Sequence, residues 1–254
     1  MSAWPKSIWG MAMAEDIARK EVLLSASKLR SGYGGKPVLQ GIDMDVREGE
    51  IVAVIGRNGV GKSTLMKTLI GLLPPTEGNI VFKGADVSAM VAHRRARLGI
   101  GYVPQGRDVF PRMSVEENLK VGESIAGKAR VQDYERVYAT FPILAERRRQ
   151  PAGTMSGGQQ QQLAIGRVMI SNPSLILLDE PSEGIQPSIV QDIARTIVDL
   201  NKRTNVTVIV VEQNIEMIRA MAQRCYVMDK GRIVAALTPQ DLDDRDTVRR
   251  HLAV

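Results

Sequence analysis

A run of five apolar residues, Ile51-Val52-Ala53-Val54-Ile55, ends in Gly56-Arg57-Asn58-Gly59-Val60-Gly61-Lys62-Ser63, and this junction constrains the chain more than any other. Unbroken apolar residues fit a strand buried on both faces, as in the interior of a parallel sheet. The glycine-rich stretch matches the spacing G-x-x-x-x-G-K-[ST]. Glycines at these positions let successive backbone N–H groups turn inward and approach an anion without Cβ atoms in the way. A helix predicted from about Lys62 to Leu72, ended by Pro74-Pro75, adds the partial positive charge of its N-terminus. Lys62 can then reach the outer oxygens of a triphosphate, and the Ser63 hydroxyl can ligate a divalent cation. With Gly at about 7% of residues, a chance match in a chain of this length is roughly one in a hundred. A glycine turn before a purely structural helix is the weaker reading, and nucleotide binding the stronger.

The rest of the chain alternates in the same way. Val22 to Leu29 and Met44 to Val46 read as short early strands, Ile80 to Phe82 and Ile100 to Val103 as further ones. From Val115 to about Gln150 the pattern becomes helical, with Val115, Leu119, Val137, Phe141 and Leu144 as the spaced apolar positions. This stretch reads as a helical lobe inserted into an α/β core. A helix over Gly158 to Ile170 then leads to a strand over Leu175 to Leu178. Ile189, Ile193, Ile197 and Leu200 place one apolar face on the next helix. Strands over Val206 to Val211, Arg224 to Met228 and Arg232 to Ala236 follow, with a helix over Ile215 to Ala222 between the first two. Thr238-Pro239 is expected to open a charged terminal helix. Strands alternating with helices predict a largely parallel sheet.

Two further segments carry chemistry. Leu175-Ile176-Leu177-Leu178 runs directly into Asp179-Glu180. Two carboxylates at the end of a buried strand are costly without a cation, which predicts one beside them. Asp179 is placed to hold Mg²⁺ and Glu180 to orient an attacking water as a general base. Taken alone, the pair reads more readily as a strand-end turn capped by Asp179 and stopped by Pro181; the phosphate loop upstream reverses the balance. Ser156-Gly157-Gly158-Gln159 opens a helix at which Ser156 can serve as the cap and the glycines expose N–H groups, a second anion-binding helix start.

Bulk properties exclude more than they assign. No run of 18 apolar residues occurs, so no membrane-spanning helix is expected. The first 20 residues contain Trp4 and Trp9 but also Lys6, Glu15 and Asp16. They lack the continuous apolar core of a signal peptide and read as a mobile extension. A single cysteine, Cys225, rules out an internal disulfide and reads as a small buried hydrophobe. The net charge of +6 gathers in short clusters, His93-Arg94-Arg95-Ala96-Arg97 and Arg147-Arg148-Arg149, which solvated helix faces explain as well as any anionic partner does. His93 and His251 stand alone on polar segments and read as surface residues.

In this order, the loop from Gly56, Gln105, Ser156 to Gln159 and Asp179-Glu180 resemble the ATP-binding subunits of ABC transporters, over about Val22 to the C-terminus. The resemblance implies a P-loop NTPase of α/β class: a mainly parallel core, an antiparallel β part and an inserted helical subdomain at about 106–172, within an ATPase domain spanning 21–254. It implies ATP and Mg²⁺ as ligands. Gly56, Arg57, Asn58, Gly59, Val60, Gly61, Lys62, Ser63 and Thr64 would hold the phosphates, Tyr33 would stack on adenine, and Gln105 would sense the metal and the γ-phosphate. Ser63, Gln105 and Asp179 would surround the metal; Glu180, Lys62 and Gln213 would carry the chemistry. Two such domains would pair head to tail, each offering Ser156, Gly157, Gly158 and Gln159 to the nucleotide held by the other. The helical lobe would grip a transmembrane permease, with a periplasmic solute-binding protein acting indirectly, at the cytoplasmic face of the inner membrane.

Two positions depart from the family pattern. Met155 stands where Leu usually precedes the serine, a volume-conserving change. Gln213 stands where a histidine is usual, and an amide can hydrogen-bond a phosphate but cannot carry an imidazolium charge. This predicts a heterodimer whose partner supplies a His-bearing site. Pro104-Gln105-Gly106-Arg107, Phe110-Pro111 and Val211-Glu212-Gln213-Asn214 are similar to the branched-chain amino-acid and amide importers. Glu183-Gly184-Ile185-Gln186-Pro187 and the C-terminal residues from Val248 are most similar to the urea-importing branch. The alternatives are a soluble ABC ATPase acting on nucleic acid or ribosomes, against which stand one copy of each motif and the absence of a heptad run, and a nucleotide-binding regulatory subunit without turnover.

Overall fold

The computed structural model describes residues 20–126, 131–238 and 240–244. Two sheets form the core. A four-stranded antiparallel sheet has the order β2-β1-β4-β5, from β1 (Val22–Tyr33), β2 (Lys36–Arg47), β4 (Glu77–Phe82) and β5 (Ala85–Asp86). A six-stranded sheet has the order β10-β9-β3-β8-β7-β6. It comprises β3 (Ile51–Ile55), β6 (Ile100–Val103), β7 (Leu175–Asp179), β8 (Thr207–Val211), β9 (Arg224–Asp229) and β10 (Arg232–Leu237). Every pairing in the second sheet is parallel except β9 with β10.

The central strands read as uniform apolar runs because each face meets a different core. In β3, Ile51, Ala53 and Ile55 enter the core shared with most of the helices, whereas Val52 and Val54 enter the one beneath the antiparallel sheet. Leu175 and Leu177 of β7 divide from Ile176 and Leu178 in the same way. This is period-2 alternation with both faces apolar.

Helix α1 (Lys62–Ile70) follows β3 through the glycine loop, and α2 (Ala92–Arg97) follows β5. Between β6 and β7 the described residues form helices, turns and one isolated antiparallel bridge, Ser114 with Pro151, and no further strand. The α-helices are α3 (Val115–Val121), α4 (Glu123–Ala126), α5 (Val131–Thr140), α6 (Pro142–Glu146) and α7 (Gly157–Met169). The lobe's spaced apolar residues Val115, Leu119, Val137, Phe141 and Leu144 are all buried with Leu163 and Ile165 of α7. Helix α8 (Pro187–Thr204) leads to β8, and α9 (Ile215–Met221) connects β8 to β9.

Several expectations need correction. The two early strands are much longer than the sequence suggests and form one hairpin, turned at Gly34-Gly35, both with positive φ. Their polar residues had hidden the pattern, because only one face of this sheet is buried. Helix α1 stops before the proline pair, at Gly71, whose φ of +88° returns its N–H to the carbonyls of Lys67 and Thr68. The basic cluster at residues 93–97 forms α2 but is not a solvated face throughout. Arg95 is fully buried, and its guanidinium donates to the carbonyls of Met90, Thr68, Leu69 and Ser88 at 2.8–2.9 Å. His93 is exposed. After Thr238 there is a single 3-10 turn, Asp241–Asp243, and the expected terminal helix otherwise falls on residues 245–254, outside the described residues together with His251. The expected N-terminal extension lies outside them up to residue 19. Cys225 is buried, and burial pushes its thiol up to about 12.

Candidate functional site

Because β3, β6, β7 and β8 run parallel, the loops that leave their C-terminal ends open onto one edge of the sheet, where α/β sheets bind ligands. Register brings Asp179 opposite Val211 and Val103 opposite Leu178. The phosphate loop after β3, Gln105 after β6, Asp179-Glu180 at the end of β7 and Gln213 after β8 thus meet although as many as 157 residues separate them in the chain (213 − 56).

The loop is built from the backbone outward. At Gly56 an added Cβ would lie 2.3 Å from the Met228 carbonyl oxygen, so only glycine lets the chain leave β3 this close to β9. Helix α1 begins at a Gly61 cap in the left-handed region, with no side chain bonded across its first turn and no acidic residue there. Its leading N–H groups are left for a ligand. The cleft in front has a volume of about 440 Å³ and is lined by Asn58, Gly59, Gly61, Lys62, Ser63, Thr64, Gln105 and Glu180, with Val38 and Glu183 at its margins.

Lys62 is 4% exposed. Its Nζ donates to the Gly56 and Arg57 carbonyls, both at 3.0 Å, and lies 3.5 Å from Glu180 Oε1. Asp179 is buried at the floor. Its Oδ1 accepts from Ser63 Oγ at 3.0 Å and its Oδ2 from the Tyr102 hydroxyl at 3.3 Å. Burial holds the Asp179 carboxyl above the ordinary aspartate range even though both hydroxyls favour its charge. Among the described residues no cation forms an ion pair with it. A buried carboxylate beside a serine hydroxyl, unneutralised, is the hard oxygen donor set that suits a small divalent cation.

Glu180 sits above this floor with a backbone φ of +47°, the left-handed region, uncommon for a residue with a side chain. Its carboxylate is the hub of the cleft. Besides Lys62, Gln213 Nε2 donates to Oε1 at 3.0 Å and Gln105 Nε2 to Oε2 at 3.4 Å. Gln213 Nε2 also donates to Asn58 Oδ1 at 2.6 Å, which ties the loop after β8 to the phosphate loop. Gln105 bonds Glu180 rather than Asp179 or Ser63, so its amide lies with the acid and not with the carboxylate at the floor.

Several expected site residues do not line this cleft, among them the helix start expected to serve a partner's nucleotide. Ser156 starts α7 in a reciprocal capping box: its hydroxyl accepts from Gln159 N–H, and the Gln159 side chain accepts from Ser156 N–H. Gly157 lies against the Arg107 guanidinium and Gly158 against Ile189 of α8. None of these lines the cleft, and neither does Tyr33, which stands 49% exposed at the end of β1. Arg57 is exposed beside the cleft, and Val60 packs inward beneath the antiparallel sheet.

Sequence reasoning overlooked Tyr102 and Glu212. Tyr102 gives no sign, since its partner Asp179 is 77 residues away. Glu212 follows the apolar Val208 to Val211 just as Asp179 follows Leu175 to Leu178, and the same argument from a carboxylate ending a buried strand would have singled it out.

Comparison with known proteins identifies the family. The family model for ABC transporters matches residues 39–183. The high-affinity branched-chain amino acid transport ATP-binding protein BraG of Pseudomonas aeruginosa is 45% identical, over 84% of this chain and 91% of its own length. The lipopolysaccharide export system ATP-binding protein LptB of Escherichia coli K12 is 34% identical, over 89% and 95%. Among solved structures, a nucleotide-free ATP-binding cassette from an ABC transporter superposes with a TM-score of 0.79 at 25% identity, over 92% of this chain and 96% of that one. CbiO1 of Clostridium perfringens gives 0.80 at 27%, over 91% and 94%. The chain therefore belongs to the ABC transporter family and is an ATP-binding, ATP-hydrolysing subunit of it.

Proposed function

We propose that the cleft binds ATP with Mg²⁺ and that its hydrolysis powers uptake of a small polar solute through a separate permease. The observation that carries the reading is the meeting of Lys62, Ser63, Asp179 and Glu180 at the mouth of the phosphate loop. Gly56 to Thr64 wrap the phosphates with main-chain N–H groups. Lys62 exchanges its contact with Glu180 for the β and γ oxygens. Ser63, Asp179 and Gln105 would hold Mg²⁺, which would neutralise charge on the phosphate oxygens. Glu180 aligns the attacking water, and Gln213 donates to the γ-phosphate as a neutral amide. Positioning and electrostatics account for such a reaction, since the phosphoryl group needs little covalent help.

The solute class follows the relative at 45% identity, named for branched-chain amino acid transport. The likeness of Glu183 to Pro187 to the urea-importing branch keeps urea and short amides beside it. The relative named for lipopolysaccharide export is less similar, at 34%. No described helix is long and apolar enough to cross a membrane. The likeness to a transport ATP-binding protein supports a peripheral subunit at the cytoplasmic face of the inner membrane. There a permease would seat on the helical lobe (106–172), with a periplasmic solute-binding protein upstream. Ser156 to Gln159 stand outside the subunit's own cleft, which supports a second ATPase subunit paired head to tail, each supplying this helix start to the other's nucleotide. Tyr33 would stack on adenine. Gln213 in place of an ionisable imidazole supports a heterodimer with unequal sites.

The test is turnover and binding measured together. Glu180→Gln is expected to slow ATP hydrolysis by about 10²- to 10⁴-fold while leaving nucleotide affinity intact. Lys62→Ala is expected to abolish tight nucleotide binding. Wild-type turnover in the first variant, or undiminished affinity in the second, overturns the assignment. Uptake of labelled leucine against labelled urea, with the co-purified permease in vesicles, decides the solute.

A further inference from the structure

Glu212 is 2% exposed, and among the described residues no cation forms an ion pair with it. Its carboxylate is held by main-chain donors alone. Oε1 accepts from Ser182 N–H at 2.8 Å; Oε2 accepts from Gln213 N–H at 2.7 Å and from Asn214 N–H at 2.9 Å. Burying a carboxylate costs several kcal/mol unless strong partners compensate, and three N–H donors at these lengths are such partners. A hydroxyl or amide could tether one loop at lower cost. A carboxylate can take donors from two loops at once, and Glu212 does so.

The two loops are those that carry Glu180 and Gln213. Ser182 lies two residues beyond Glu180, whose left-handed backbone costs on the order of 1–2 kcal/mol and needs support from its surroundings. That support is threefold. Glu180 N–H donates to the Val211 carbonyl at 2.9 Å, Glu183 N–H returns to the Glu180 carbonyl at 3.1 Å, and Ser182 is tied to Glu212. On the other side, Glu212 fixes the backbone of Gln213, whose side chain meets Glu180 Oε1 and Asn58 Oδ1.

We propose that Glu212 is a positioning residue for ATP hydrolysis. From behind the cleft it locks the turn at 180–183 to the loop at 212–214, so that the Glu180 carboxylate and the Gln213 amide address the same volume beside Lys62 and Ser63. The inference rests on the reading that Glu180 aligns the attacking water.

The experiment is a double-substitution cycle on purified full-length protein with Mg²⁺ and ATP. Glu212→Gln preserves shape but turns one acceptor into an N–H donor facing backbone N–H, so one loop is released. Turnover is expected to fall about 10- to 100-fold, because a shift of about 1 Å in a reacting group has effects of that size. KM, and the affinity for a fluorescent ATP analogue, are expected to stay within about 2-fold, a split that general loosening of the fold would not give. In the Glu180→Gln background the same change is expected to alter the residual rate by less than about 2-fold, since residues acting as one unit are not additive. Unchanged turnover in Glu212→Gln, or an equal loss in both backgrounds, overturns the proposal. If Glu180→Gln itself hydrolyses ATP at the wild-type rate, the role of Glu180 fails first and the inference falls with it. Should the Gln variant not fold, Glu212→Asp, which keeps the charge but withdraws it by one methylene, is read in the same way.

Discussion

At the scale of single residues the cleft is organised around charges kept in water-poor surroundings. Asp179 is the extreme case: a carboxylate at 2% exposure whose two partners are neutral hydroxyls. Burial raises its pKa, so without a ligand its ionised form at neutral pH is a burden on the fold. Asp179→Asn removes the charge and keeps an oxygen for Ser63. The variant is expected to melt higher than wild type without ligand, by about 2–4 °C for each kcal/mol relieved, and to lose the extra rise that Mg²⁺ adds to ATP. Thermal unfolding with ATP alone and with ATP plus Mg²⁺ measures both; a lower melting point in the unliganded variant would show that the buried charge is not a burden. The residue types at this floor were legible because the phosphate loop and the Asp179-Glu180 pair are short contiguous patterns. The links between them were not. Tyr102 with Asp179, and Gln213 with Asn58 across 155 residues, exist only once the parallel strands are in register.

Among the elements, β3, β7 and β8 announced themselves because strands apolar on both faces leave a continuous run in the sequence. Helix α2 did not, and Arg95 explains why: three arginines in six residues look like a solvated surface until the fold offers one of them four carbonyls. Two of those carbonyls, Thr68 and Leu69, belong to the last turn of α1, the helix whose first turn carries Lys62 and Ser63. Arg95 thus answers the negative end of that helix and fastens it while its positive end faces the cleft. Arg95→Met fills much of the same volume but leaves buried acceptors unsatisfied, each worth about 1–3 kcal/mol. The variant is expected to lose at least about 3 kcal/mol in urea unfolding, and Arg95→Lys to recover only part, since an ammonium cannot span four acceptors in a planar fork. A loss below about 1 kcal/mol for Arg95→Met would mean that the carbonyls find other donors and that α1 is held by its apolar face alone.

For the molecule as a whole, the issue is how two sheets of different character keep one geometry. The antiparallel sheet contributes Val38 of β2 to the lining of the cleft and the six-stranded one carries the phosphate loop, so any slip between them changes the cleft. Arg224, on β9, spans the junction. It makes a bidentate pair with Glu50, just before β3, at 2.9 Å on both sides, and reaches the Asp45 carboxylate on β2 at 3.2 Å, where the Tyr226 hydroxyl also bonds. Glu50 is 1% exposed, and apart from Arg224 the described donor to its carboxylate is the Arg47 backbone N–H, so Arg224→Ala strands a buried charge. Losses of about 3–5 kcal/mol follow such breaks. The pH dependence has a definite sign. Burial works to raise the Asp45 pKa, but the hydrogen bonds and charge of Arg224 overcome it and hold the group below the ordinary aspartate range. A carboxylate with a depressed folded-state pKa favours the fold above its unfolded pKa and loses that contribution as pH falls through the folded value. Urea unfolding is therefore expected to show the full gap between wild type and Arg224→Ala at pH 7 and a narrower gap below pH of about 4, as wild type loses what the variant already lacks. A gap that stays constant or widens on acidification would mean that Arg224 joins the sheets through its packing on the Tyr226 ring rather than through its charge.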